Sequence, residues 1–321
     1  MRIRAALRWG LRIGVSAGIV SYILVDVDRR DLLHALISVQ PSLLVAPMLL
    51  YLAGQVLSGV KWWMIGTAVG LDRPLLEYLR FYFVGMSLNV FGLSTIGGDV
   101  VRALYLGDGR RPVLALNSVV FDRFTGLAML MAMAAVALLA TRGWDFPWWF
   151  AGAVTGGGLA LVVGWWMCPL LVRLLPARNR IRHQVEHDLA PFWRDPWLLL
   201  RVAVVSLCFH LSQVGVQWLL ARAAGAGNVP LAYWLVAHPI LSIMMALPVS
   251  IGGFGVREGG YIYFLTRIDV DDSVAVTMGL LWFLTTAVSG IVGGLVFLAS
   301  GAELPRLRAP RRHAEPERGA A

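Results

Sequence analysis

The sequence predicts an all-α, polytopic membrane protein with about six full spans and two re-entrant helical hairpins arranged as an inverted repeat, eight ordinary spans being the alternative. Three observations carry that prediction. The first is composition: 321 residues with 58% hydrophobic and 15% charged content have too little polar surface to cover a soluble globule. The apolar stretches match the roughly 20 residues that cross a hydrocarbon core as helix, and barrel-type alternation is absent. The second is a repeated phrase. Ile96-Gly97-Gly98-Asp99-Val100-Val101-Arg102 returns as Ile251-Gly252-Gly253-Phe254-Gly255-Val256-Arg257, nearly half the chain later, each copy between two short apolar stretches. A Gly pair breaks a helix, and broken backbone at membrane depth is tolerated only where protein buries it or it lines a cavity. Matching interruptions in two halves of a membrane protein point to a transporter's binding site. The third is the gathering of arginines in alternate loops, which sets the topology.

The N-terminal Arg2, Arg4, Arg8 and Arg12 give the first apolar stretch the look of a signal sequence, but no small-x-small cleavage site follows, so a retained span over about 9–25 is expected. A short polar loop over 26–40 leads to the second span, 42–66. There Lys61, the only lysine, stands beside Trp62 and Trp63 and reads as an interfacial anchor. A basic connector with Arg73 and Arg80 precedes the first hairpin, made of 81–91, the break at Gly97 and Gly98, and 100–106. Neither arm is long enough for a comfortable crossing. After Arg110-Arg111-Pro112 a third span covers 113–140, with Asp122-Arg123 some ten residues in. Trp144, Trp148 and Trp149 make an aromatic belt at the far face.

Spans over 150–171 and 197–221 flank the longest polar segment, 173–196, and the later one carries His210, Gln213 and Gln217 on one stripe. Such a stripe joins helices by hydrogen bonds, with lining of the central cavity as the second reading. The second hairpin comprises 231–248, ending at Pro248, the break at Gly252, Gly253 and Gly255, and 256–265. A last span, 274–300, leads to a basic, Pro-rich tail over 301–321 that is expected to be disordered. Residues 1–300 thus read as one transmembrane domain with halves of about 9–140 and 150–300.

Counting basic residues by loop puts both termini, the Arg73 connector, the Arg110 loop and the Arg173 segment on the cytoplasmic side. The opposite loops hold Arg29, Arg30, Arg142, Arg222 and Arg267. Six full spans with both termini on one side require the two hairpins to enter from opposite faces, the first from the cytoplasm. The net charge of +9 therefore follows topology and does not indicate nucleic acid as a partner.

Arg102 and Arg257 are expected in the first turn of a half-helix, where unsatisfied N–H groups and the positive helix end favour an anion. A guanidinium there holds a phosphate through two parallel bonds and cannot shed its charge. Asp99 is placed as N-cap of 100–106 and three residues from Arg102, within reach of an internal ion pair. Charges at membrane depth are costly and mark a pathway, which singles out Arg257, Glu258, Asp122 and Arg123. Adjacent helical residues do not face each other. One of Asp122 and Arg123 is therefore expected to pair with Arg257 and the other with Glu258.

Cys168 and Cys208 read as packing residues. His183 and His187 flank Glu186 at metal-like spacing, but without the rest of a zinc-protease motif they read as a solvated amphipathic stretch. No P-loop, nucleotide fingerprint or Ser-His-Asp signature is present, so no enzyme activity, cofactor or metal is expected. The rival is a membrane glycosyltransferase using polyprenyl-phosphate sugars, with Asp26-Val27-Asp28 or Asp269-Val270-Asp271-Asp272 holding a divalent cation. A third class is a non-transporting partner of a lipid-modifying or glycan-synthesis enzyme.

Several of these residues together resemble a known family. Asn89, then Gly97-Gly98-Asp99-Val100-Val101-Arg102-Ala103, then Asp122-Arg123 with Gly126, and finally Pro248-Val249-Ser250 with Gly252-Gly253-Phe254-Gly255-Val256-Arg257-Glu258-Gly259, are similar to the transmembrane region of lysylphosphatidylglycerol synthases and its stand-alone flippase-like relatives. The likeness runs over about 11–298. It implies a lipid flippase or transporter of the bacterial cytoplasmic membrane, acting on a phospholipid, aminoacylated lipid, hopanoid or polyprenyl-phosphate lipid. It also implies a substrate site formed by Arg102, Asp122, Arg123, Arg257 and Glu258, with Asp99 and Asn89 beside them. Leu93-Ser94-Thr95 stands where the family often has a proline, and 280–286 lacks a common arginine.

Overall fold

A computed structural model describes residues 29–91, 97–108, 111–140, 148–176, 178–246, 253 and 255–300. The expected first span, Asp26-Val27-Asp28, Trp144, Pro248, Gly252 and the basic tail lie outside them. Every regular element among the described residues is helical. In chain order these are α1 (Arg29–Ser38), α2 (Ser42–Ala68), α3 (Leu75–Phe91), α4 (Gly97–Gly107), α5 (Pro112–Ala140), α6 (Trp148–Val172), α7 (Arg180–His183), α8 (Pro191–Arg194), α9 (Pro196–Ala223), α10 (Leu231–Ala246), α11 (Val256–Leu265) and α12 (Asp272–Ala299). A π-turn, Gln184–Asp188, joins α7 to α8, and a 3₁₀ turn, Thr266–Ile268, follows α11.

Five of these helices, α2, α5, α6, α9 and α12, are long and apolar enough to cross a membrane. They match the second to sixth expected spans, and their ends follow local chemistry. At the start of α9 the Asp195 carboxylate accepts from the N–H groups of Trp197 and Leu198 at 3.0 and 3.1 Å, with Pro196 at the first helical position. The polar segment over 26–40, expected as a short loop, contains helix among its described residues. Over Arg29–Ser38 the apolar Leu32, Leu33, Leu36 and Ile37 recur at helical spacing, and Leu32 packs on Val276 of α12. Charged neighbours mask that stripe in a composition reading.

The two short pairs, α3 with α4 and α10 with α11, pack arm against arm. Around them, α2 and α9 form the most extensive helix contact. The closing helices α5 and α12 then behave alike: α5 packs on α4 and on α10, while α12 packs on α11 and on α3. Each closing helix therefore touches the outgoing arm of its own pair and the incoming arm of the other. Close approach in the first pair depends on Gly85 and Gly98, because a Cβ on Gly98 would strike the Gly85 carbonyl and the Asn89 side chain. At the far end of α3, the Arg80 guanidinium donates to the carbonyl of Ser300, just past the C-terminus of α12. A cation is favourable at that negative end.

The two Gly-Gly phrases differ in conformation. Gly97 and Gly98 are already helical and open α4, so the glycine pair is not itself a break. The Gly98 N–H is taken by the Asn89 Oδ1 at 2.8 Å, a cap supplied from the facing arm. Asp99, expected as the N-cap, instead stands inside the first turn. In the second pair Gly253 and Gly255 lie outside the helix with φ of 79° and 83°, a region open to glycine, and α11 begins only at Val256.

Candidate functional site

Charged side chains from three helices meet in the first half. Lys61 of α2 is 3% exposed, and its Nζ lies 3.0 Å from Asp122 Oδ1 and donates to the Asp122 carbonyl at 2.9 Å. The other carboxylate oxygen of Asp122, on α5, accepts from Arg102 Nη2 at 3.0 Å. Arg102 of α4 reaches Asp99 as well, Nε to Oδ1 at 3.3 Å. Asp99 in turn is held through two parallel bonds by Arg123, Nε at 2.9 Å and Nη2 at 2.8 Å. The result is one ionic chain, Lys61–Asp122–Arg102–Asp99–Arg123, running from almost fully buried Lys61 to Arg123, whose side chain is 60% exposed. The Arg102 guanidinium also lies over Trp62 and Tyr82, 4.8 and 5.3 Å from their ring centroids.

This geometry corrects three expectations. Lys61 is not an interfacial anchor: Asp122 holds it inside the bundle, and its Trp62 neighbour is buried, donating to Ser118 at 3.1 Å. Arg102 is not in the first turn of its half-helix, because α4 starts at Gly97. Asp122 and Arg123 do not pair with Arg257 and Glu258. They serve Lys61, Arg102 and Asp99, whose helices pack directly on α5.

The second half satisfies its charges locally. One Glu258 oxygen accepts from the N–H of Gly255 at 2.7 Å, capping α11 from its third position. That bond holds the carboxylate over the helix end. There Arg257, next in sequence, reaches the other oxygen with Nε at 2.9 Å and also with Nη2. Both side chains are buried, and the Arg257 guanidinium lies 5.4 Å from the Phe283 ring centroid of α12.

A single cavity of about 680 Å³ joins the two regions. Lys61, Asp99, Arg102, Asp122 and Arg123 line it from the first half and Arg257 from the second. The expected stripe on α9 divides here. His210 and Gln213 line the cavity, with His210 Nε2 3.1 Å from the Gly126 carbonyl, whereas Gln217 joins helices through His238 Nδ1 at 3.1 Å. Met86, Leu127, Leu130, Ile243 and Met245 give the same space an apolar side.

Sequence reasoning missed three contributors: His238, Tyr82 and the inward role of Lys61. A signal for Lys61 exists. It stands seven residues before the end of α2, and Asp122 ten residues after the start of α5, depths of about 10 and 15 Å at 1.5 Å per residue. Two opposite charges at similar depth on antiparallel spans are natural partners.

The remaining candidates stand apart. Glu186 pairs with Arg182 at 2.9 Å while the His183 and His187 rings lie 4.5 Å apart, tilted by 40°. Asp269 takes a left-handed conformation after the 3₁₀ turn, and Asp271 precedes α12. No group of three metal-ligating side chains occurs among the described residues.

No curated protein matches the chain. The family model described as the Lysylphosphatidylglycerol synthase TM region matches residues 9–294. With buried charge at two broken helices of an all-helical membrane bundle, and a match over most of its length, the chain belongs to the lysylphosphatidylglycerol synthase transmembrane-region family.

Proposed function

We propose that the protein moves a lipid with an anionic headgroup between the leaflets of the bacterial cytoplasmic membrane. The observation that carries this reading is the cavity of about 680 Å³ that joins arginines of both broken helices. Buried, paired charge in an apolar bundle marks a pathway. A headgroup phosphate competes for the guanidinium forks of Arg102 and Arg257 while acyl chains lie along Leu127, Leu130 and Ile243.

In this reading α3 with α4 and α10 with α11 are re-entrant hairpins. Each half then makes three full crossings, an odd number, which turns the second half over relative to the first. The reciprocal packing of α5 and α12 supports such a repeat, and inverted repeats give alternating access around a midplane site. Both termini face the cytoplasm on the basic-loop count.

The test is a reconstituted flip assay with fluorescent phospholipids and a membrane-impermeant quencher. Wild-type vesicles should lose signal from the inner leaflet faster than protein-free vesicles, and Arg257→Gln should slow that loss at least about tenfold, the effect of removing one charge-assisted bond. Equal rates for wild type, Arg257→Gln and protein-free vesicles would end the transport reading.

A further inference from the structure

We propose that the cavity selects a lipid whose headgroup carries one net negative charge, a phosphodiester monoanion, and that Arg102 Nη1 is the donor that meets it. This rests on the transport site described above and narrows its substrate. Four cations, Lys61, Arg102, Arg123 and Arg257, face three carboxylates, Asp99, Asp122 and Glu258, through the ion pairs that line or adjoin the cavity. These ion pairs leave the site one uncompensated positive charge. The stretches beside the two short helix pairs, 92–96 and 247–252, carry no charged residue in sequence.

The surplus has an address. Arg102 is 2% exposed, lines the cavity, and its Nη1 is buried without a hydrogen-bond partner among the described residues. Nη2 is committed to Asp122 and Nε faces Asp99. A buried guanidinium nitrogen with no acceptor is costly, and an entering phosphate oxygen removes that cost. One negative charge neutralises the site. A zwitterionic headgroup leaves the surplus in place, a dianion replaces it with a negative one, and a headgroup bearing an added cation increases it. Each of those outcomes is penalised in a low-dielectric space.

The experiment measures binding of short-chain lipids to purified protein in detergent by intrinsic Trp fluorescence. The probes are dioctanoyl phosphatidylglycerol, phosphatidylcholine, phosphatidic acid and lysyl-phosphatidylglycerol, with a short isoprenyl phosphodiester to separate glycerolipid from polyprenyl sources. Phosphatidylglycerol or the isoprenyl phosphodiester should bind about tenfold tighter than the others. Preference should then follow the site's charge. Asp99→Asn, which makes it more positive, should shift selectivity toward phosphatidic acid, and Lys61→Gln, which makes it neutral, toward phosphatidylcholine. Arg102→Lys, which retains charge and loses the free nitrogen, should weaken the monoanion without changing the order. Equal binding of neutral and monoanionic lipids, or an order unmoved by both charge variants, overturns the proposal. Selective binding without flipping in vesicles refutes the transport reading alone. Flipping without charge preference refutes this one alone.

Discussion

The two broken helices share the phrase Ile-Gly-Gly-x-x-Val-Arg and put it to different uses. In the first, α4 begins at Gly97, so Arg102 lies one turn inside the helix and finds Asp122 on α5. In the second, α11 begins at Val256, so Arg257 lies in the first turn and finds its carboxylate on Glu258, its own neighbour. The fifth position of the phrase accounts for the difference. Val100 accepts helical backbone, whereas Gly255 stands at φ 83° and delays the helix. The first arginine is tied across helices and the second within its own arm. Identical residue types at identical spacing thus do not guarantee identical roles, because helix start decides which neighbours a side chain can reach.

The largest test of this contrast removes the shared carboxylates. Asp122→Asn strands Lys61 and Arg102, both almost fully buried, and should destabilise the protein by about 3–5 kcal/mol. That loss reads as a lowered unfolding midpoint in detergent. Glu258→Gln keeps an acceptor for the Gly255 N–H and should cost less, about 1–3 kcal/mol. Adding Lys61→Met to Asp122→Asn removes one stranded cation and should recover part of the loss. A double variant no more stable than Asp122→Asn alone would break the comparison, since the loss would then owe nothing to unpaired charge.

The next test concerns the glycines. Gly98→Ala drives a methyl into the Gly85 carbonyl and should cost about 1–3 kcal/mol through overpacking. Gly253→Ala meets Met245 no closer than 3.6 Å, so its cost is the positive φ, about 1–2 kcal/mol. The two are told apart by asparagine, which tolerates a positive φ: Gly253→Asn should cost less than Gly253→Ala, because the backbone strain at φ 79° is eased. Gly98→Asn, larger still against the Gly85 carbonyl, should cost more than Gly98→Ala, and unfolding midpoints of the four variants read the difference.

Five of the expected spans were legible because membrane spans announce themselves by length and hydropathy, and the repeated glycine phrase marked the two short helix pairs. What was not legible was pairing. Asp122 is equally able to reach any cation at its depth, and the sequence alone cannot say that α2 and α4 stand nearer to it than α11. The same limit hid His238, which lies within an apolar run and has Gln217 as its partner from another helix. The rule that adjacent helical residues diverge set Asp122 and Arg123 apart, and Arg257 and Glu258 were expected to be their partners rather than each other's. The cap that Glu258 gives to Gly255 bends its carboxylate back over the helix end, and the rule fails there.

The smallest expected effect belongs to Arg123, the member of the first ionic chain with the most exposed side chain. Its two bonds to Asp99 have good geometry, but the side chain is 60% exposed. Arg123→Gln should therefore shift stability by less than about 1 kcal/mol, and raising salt to 1 M should shrink the difference further as exposed charges are screened. The buried Asp122 links should keep their effect under the same salt. Unfolding midpoints of Arg123→Gln and Asp122→Asn, taken at low and high salt, measure that contrast directly. A salt-insensitive loss of several kcal/mol at Arg123 would mean that the chain's outer end is as buried in the folded protein as its inner one, and the gradient from interior to surface would disappear.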